Sequence, residues 1–132
     1  MDRPDERSDA RERALYLLYE AHSKGIDAAD TIDLQVIEPD ELTQQLVRGV
    51  AGCIERLDEI IAAKAEGWTL ARMPVLDLNV MRLGTFELLE RADVPTAVVL
   101  NEAVELAKRF STDDSGRFVN GVLAAIAADV RD

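Results

Sequence analysis

The chain has 132 residues, 48% hydrophobic and 31% charged, a size and balance suited to one soluble globular domain that buries a single core without disulfide or metal staples. Fifteen Lys and Arg stand against 26 Asp and Glu, and the net charge of −11 excludes nucleic-acid binding by bulk electrostatics, since phosphate attraction needs clustered cations. Any nucleic-acid site must therefore be local. The N-terminus is charged rather than apolar, and no segment approaches the roughly 18 uninterrupted apolar residues of a membrane span, so a cytoplasmic protein without a membrane contact is expected.

In chain order, the first expected helix runs from Asp5 to about Ser23, with Pro4 tolerated at its entry and Ala14, Leu15, Leu18 and Ala21 forming an apolar stripe. Gly25 should end it. Ile26 to Glu38 mixes Asp, Ala and isolated aliphatics, consistent with a connecting loop holding one helical turn. Beyond Pro39, Leu42, Leu46, Val50, Ile54, Leu57 and Ile61 recur at near-helical intervals. That spacing predicts one continuous helix over this whole run. Cys53, the single cysteine, falls within it and reads as a small buried hydrophobe rather than a reactive thiol.

Gly67-Trp68-Thr69 and Met73-Pro74 punctuate the next stretch, with one short turn expected over Leu70 to Met73. A third long helix should start near Asp77, whose carboxylate can cap the first free amides. Leu78, Val80, Met81, Leu83, Phe86, Leu88 and Leu89 make it apolar on most sides, so it should run through the middle of the bundle. Pro95 introduces a fourth helix with Val99, Ala103, Leu106, Ala107 and Phe110 inward, and Asp114 or Ser115 caps a fifth with Phe118, Val119, Val122, Leu123 and Ile126. No convincing strand is found. The expected fold is all-α, a compact bundle of about five to seven helices in two packed subbundles around a central apolar helix. A single domain spans residues 1–132, with residues 1–10 available as a flexible arm.

Little in the chain suggests chemistry. The single histidine, His22, has no cysteine or second histidine with which to share a metal, and no nucleophile is paired with it, so neither a metal nor a catalytic residue is expected. Asp113 and Asp114 read as helix-start residues, where negative charge meets the positive end of the dipole. There is no phosphate-cradling glycine loop, and no cofactor is expected. Asn120-Gly121 is unusual inside a helix, where Gly costs roughly 1 kcal/mol. Close packing of two helix backbones is the expected reason.

The string Phe118-Val119-Asn120-Gly121-Val122-Leu123, the preceding Asp113-Asp114-Ser115 and the upstream Asn101-Glu102-Ala103-Val104-Glu105-Leu106-Ala107-Lys108 resemble the NusB family of transcription antitermination factors. More loosely, the resemblance extends from Arg11 to about Ile126. It implies that Ala10 to Glu20 is similar to the family's RNA-facing first helix, with Arg11 and Tyr19 at matching positions, and that Asp77 to Glu87 is similar to its central helix, with Arg82 matching a family arginine. Asp114, Ser115 and Phe118 fall on the corner that the family presents to leader RNA. With Arg7 of the N-terminal arm, the RNA-binding candidates are thus Arg7, Arg11, Tyr19, Arg82, Asp114 and Phe118.

Such a set makes physical sense. Bases of a single strand stack on Tyr or Phe, worth about 1–3 kcal/mol each, Arg pairs with phosphate or base edges, and Asp accepts from base amino groups. Each residue also has a plainer reading: Phe118 and Tyr19 as core side chains, Arg82 as the partner of a buried carboxylate or carbonyl. Two departures from the family pattern weaken phosphate neutralisation. Arg3, Arg7, Arg11 and Arg13 are interrupted by Asp5, Glu6, Asp9 and Glu12, and Leu78 stands where the family often has lysine.

The resemblance implies a partner, NusE, with which such proteins recognise the single-stranded boxA element of the ribosomal RNA leader and help RNA polymerase resist termination. Both a monomer and a homodimer fit. Two other readings compete: a NusB-like module of a ribosomal RNA methyltransferase, and a protein-interaction scaffold that does not bind RNA.

Overall fold

Gly and Pro punctuation divides the chain into helices. The computed structural model describes residues 4–131, and its regular structure is helical: α1 Pro4–Lys24, α2 Asp30–Asp33, α3 Glu41–Gly52, α4 Ile54–Lys64, α5 Val75–Glu90, α6 Thr96–Phe110 and α7 Asp113–Val130, with a short 3-10 turn over Leu70–Arg72. Residues 4–10, expected as part of an arm, are the first turns of α1, while Arg3 lies outside the described residues. The chain divides between Cys53 and Ile54 into two compact units.

In the first unit α1 packs on α2 and α3, and the expected stripe of Ala14, Leu15, Leu18 and Ala21 is buried, as are Leu46, Val47 and Val50 of α3. Gly25 ends α1 with φ +67, a left-handed conformation that costs a glycine nothing. Asp40 caps α3 by accepting from the Thr43 amide at 2.8 Å. A polar chain links α1 to the segment after α2. Arg13 Nη2 donates to Gln35 Oε1 at 3.3 Å, and Gln35 Nε2 donates to Glu20 Oε1 at 3.3 Å and to the Thr31 carbonyl at 2.9 Å.

The long helix expected beyond Pro39 is two helices. The backbone breaks at Cys53, which has φ −137 and ψ 27. Gly49 and Gly52 lie in the turn before it, each costing about 1 kcal/mol of helix propensity relative to Ala. The apolar periodicity persists across the break because each helix buries its own stripe, and periodicity alone does not reveal the interruption. Cys53 is half-buried there rather than sequestered.

In the second unit α5 packs against α4, α6 and α7, and Leu78, Val80, Met81, Leu83 and Leu88 are buried on its several sides. It is the central apolar helix that its composition predicts. Gly84 lets α7 approach, since a Cβ there would lie 2.8 Å from Leu123 Cδ1. Gly116 plays the same part against α6, where a Cβ would lie 2.7 Å from Lys108 Cγ. Gly121 does not. A Cβ at that position meets nothing within 4 Å, so the close packing expected at Asn120-Gly121 belongs to Gly84 and Gly116 instead.

Both expected caps also move. The α5 cap position is Pro74, without a side-chain cap, and Asp77 lies inside the first turn. α7 is capped by Thr112, which accepts from the Ser115 amide at 3.0 Å, rather than by Asp114 or Ser115.

Candidate nucleic-acid interface

The start of α7 organises a small polar and aromatic corner in the second unit. Thr112 adopts extended backbone before the helix and accepts from the Ser115 amide. This places Ser115 Oγ 2.8 Å from Asp77 Oδ2 on α5, to which it donates, and 2.9 Å from Ser111 Oγ. Asp77 is 3% exposed, and its second oxygen, Oδ1, has no hydrogen-bond partner in the structure. A buried acceptor left in that state costs about 1–3 kcal/mol, so the position is maintained at some expense to stability.

Three residues further along α7, Phe118 is half-buried and meets Trp68, with ring centroids 5.8 Å apart and planes inclined at 56°. That tilted arrangement is a favoured one for aromatic pairs. Trp68 sits in the loop after α4 and is 51% exposed. Trp68, Pro74, Asp77, Thr112, Asp114, Ser115 and Phe118 together line a cavity of about 210 Å³. Asp114 stands at its edge with its side chain 84% exposed, paired with Arg117 one turn later.

Asp114 and Phe118 thus share one cavity. Arg82 does not line it: its guanidinium, 12% exposed, holds Asp58 of α4 through Nε at 2.7 Å and Nη2 at 2.8 Å, and donates to Asn79 Oδ1 at 3.1 Å. Arg7, Arg11 and Tyr19 share α1 in the first unit. There Tyr19 is 45% exposed, Arg7 is half-buried and Arg11 is buried at 3%. Near the start of α1 a second cavity is lined by Asp9, Glu12, Arg13, Tyr16, Glu38 and Asp40, an acidic set unsuited to phosphate.

Sequence reasoning passed over Trp68 as loop punctuation. A lone Trp between Gly67 and Thr69, outside any apolar stripe, was the available signal, because a large aromatic that is not needed in a helix face is free for contact. The bond between Asp77 and Ser115 had no local signal, since 38 residues separate the partners. Among the described residues no group of three His, Cys, Asp or Glu is placed to hold a metal. Among the same residues no helix is long and apolar enough to cross a membrane.

An all-helical fold that gathers two aromatic rings, a buried carboxylate and a set of hydroxyls around one small cavity is built as a recognition domain. Comparison with known proteins gives that class a family. The NusB family matches residues 8–128. The chain is 54% identical over 127 residues to the transcription antitermination protein NusB of Saccharopolyspora erythraea, covering 92% of this chain and 86% of that one. Against the protein of the same name from Streptomyces avermitilis it is 50% identical, covering 91% and 90%.

Among solved structures it superposes on T. maritima NusB with a TM-score of 0.88 at 33% identity, covering 100% of this chain and 96% of that one. It also superposes on one chain of a solved complex of the antitermination factors NusB and NusE with dsRNA, with a TM-score of 0.80 at 27% identity and coverage of 93% of this chain and 96% of that one. The chain belongs to the NusB family.

Proposed function

We propose that this protein is a transcription antitermination factor that binds single-stranded boxA RNA of the ribosomal RNA leader together with NusE and helps RNA polymerase resist termination. It acts in the cytoplasm by assembly rather than by catalysis. The observation that carries this reading is the aromatic cavity at the start of α7, where Phe118 and Trp68 offer stacking faces beside Asp114 in a chain of the NusB family. Stacking and base-edge hydrogen bonds recognise RNA without a basic surface, which suits a net charge of −11. The solved complex that pairs a relative with NusE and dsRNA supports the partner assignment.

In this reading Tyr19 and Phe118 stack on bases, Asp114 accepts from a base amino group, and Arg7 supplies local positive charge, while Arg11, 3% exposed, does not offer its guanidinium to a strand. Arg82 serves by holding α5 against α4 through Asp58. The acid-interrupted arginines leave few phosphate contacts, so NusE supplies much of the affinity. Fluorescence anisotropy of a labelled boxA strand, titrated with and without NusE at two salt concentrations, tests this. Salt-sensitive binding that NusE tightens is expected; equal affinity for a scrambled strand would overturn it.

A further inference from the structure

We propose that the acidic cavity between α1 and the start of α3, together with the aliphatic side chains that precede it in the chain, is a docking face for a basic amphipathic segment of a protein other than NusE. All of its residues lie in the first unit, and none belongs to the RNA-binding set. It needs neither RNA nor NusE.

The stretch between α1 and α3 concentrates exposed apolar side chains. Half of the large apolar and aromatic residues exposed among the described residues, namely Ile26, Leu34, Val36 and Ile37, fall between Gly25 and Asp40. Single exposed aliphatics need no explanation, but a cluster of them in one connection marks a contact surface. Val36 is fully exposed and Ile37 is 75% exposed, while Pro39, two positions on, is buried.

That exposure is not fraying, because the chain is tied down on both sides. Before Val36, Gln35 accepts from Arg13 Nη2 and donates to Glu20 Oε1 and to the Thr31 carbonyl. After Glu38, the Pro39 carbonyl accepts from Gln44 Nε2 at 2.8 Å and Asp40 caps α3. Val36 and Ile37 are thus presented between two fixed points. Anchors that are ordered before contact lose little freedom on binding.

Charge selects the partner. Glu38 follows Ile37 directly, and with Asp9, Glu12 and Asp40 it lines a cavity of about 330 Å³. The one guanidinium among the lining residues, that of Arg13, already donates to Gln35. Tyr16, 46% exposed, adds an aromatic wall, and a Lys or Arg charge is attracted to an aromatic face as well as to carboxylates.

The same charges exclude other occupants. RNA phosphates and anionic lipid head groups are repelled, and two copies of this chain meeting through this face would set carboxylates against carboxylates. A segment with an aliphatic contact flanked by Lys or Arg satisfies both halves of the surface.

The full chain, with its Leu, Val and Ile methyl groups labelled for nuclear magnetic resonance, would be titrated with a short peptide that alternates leucine and lysine. Shifts at Leu34, Val36 and Ile37 are expected, with Val98, exposed in the second unit, unmoved. An oligolysine of equal charge should bind at least about tenfold more weakly, and so should the peptide to a chain carrying Val36→Ser and Ile37→Ser. Glu38→Lys should weaken binding at least about fivefold, whereas Glu105→Lys, an equal change of net charge on α6, should change it less than about twofold. These four positions are exposed, so the substitutions leave the core untouched.

Shifts scattered over both units, or equal weakening by Glu38→Lys and Glu105→Lys, overturn the proposal, since a chain of net charge −11 then attracts the peptide without a site. Equal affinity for oligolysine removes the apolar half of the face, and equal affinity for a peptide alternating leucine and glutamate removes the charged half. Methyl shifts that grow with protein concentration alone identify a second copy as the occupant. The same shifts produced by NusE alone assign the face to the complex already proposed, and either result overturns a separate basic partner.

Discussion

Arg82 and Asp58 form a two-pronged ion pair between α5 and α4, with Nε to Oδ1 at 2.7 Å and Nη2 to Oδ2 at 2.8 Å, the side chains 12% and 26% exposed. The planar guanidinium matches both carboxylate oxygens at once, which a lysine ammonium cannot do. Arg82→Lys is therefore expected to lower the unfolding free energy by about 1–2 kcal/mol, less than for a fully buried pair because solvent reaches Asp58. Urea denaturation of Arg82→Lys, Asp58→Asn and the double variant checks this. The double variant should lose less than the sum of the single losses.

Arg131 closes the other end of α5. Its guanidinium donates to the carbonyls of Glu87 (3.1 Å), Leu88 (3.0 Å), Arg91 (2.9 Å) and Val94 (2.6 Å) and to Thr96 Oγ1 (3.1 Å). Two of those carbonyls belong to the last turn of α5; that of Glu87 also accepts from the Arg91 amide at 3.0 Å, while that of Leu88 lies where helical donors run out. Replacing Arg131 with Ala should cost about 2–3 kcal/mol, since several acceptors lose a charged donor together. Thermal unfolding would show it as a lowered midpoint, and an unchanged midpoint would mean that water serves those carbonyls equally well.

Two helical glycines should respond oppositely to alanine. Gly84→Ala places a methyl 2.8 Å from Leu123 Cδ1, a fully buried side chain with little room to swing. Overpacking of about 1–3 kcal/mol outweighs the gain in helix propensity, and a net loss near 1 kcal/mol is expected. Gly121→Ala meets nothing within 4 Å, so it should stabilise by about 0.5–1 kcal/mol. Paired denaturation curves decide both signs.

The Glu20 carboxyl is held below its ordinary range, chiefly by the hydrogen bond from Lys24 Nζ at 3.0 Å and then by that from Gln35. A carboxylate whose folded value is depressed contributes stability that is present above its unfolded value and is lost as pH falls through the folded one. Glu20→Gln should thus be destabilising at neutral pH by about 0.3–0.5 kcal/mol, the scale of an exposed helix pair. The gap to wild type should close as pH falls through the depressed folded value, below the ordinary glutamate range. A gap that stays constant through acid would assign the loss to packing rather than to charge.

Much of this protein can be read along the chain. Helix existence follows from the spacing of Leu46, Val50, Leu57 and Ile61, and the central place of α5 from its apolar residues on most sides, because burial is the dominant force and leaves a periodic trace. The strings around Asp114 and Phe118 are likewise local, and they carry the resemblance to NusB. The break at Cys53 leaves no such trace, since two short helices with buried stripes have the same apolar spacing as one long helix.

Other features were decided only by tertiary structure. Whether Asp77 caps a helix or holds Ser115, whether Arg82 is available or taken by Asp58, and whether Gly84 or Gly121 admits a neighbouring helix depend on which side chains meet across elements. Trp68 becomes half of an aromatic pair because Phe118, 50 positions along the chain, is folded against it. Sequence determined the helices and the family because those depend on local and periodic chemistry; the fold decided which polar and aromatic groups are engaged, because hydrogen bonds and ring contacts act over a few ångströms in space regardless of separation along the chain.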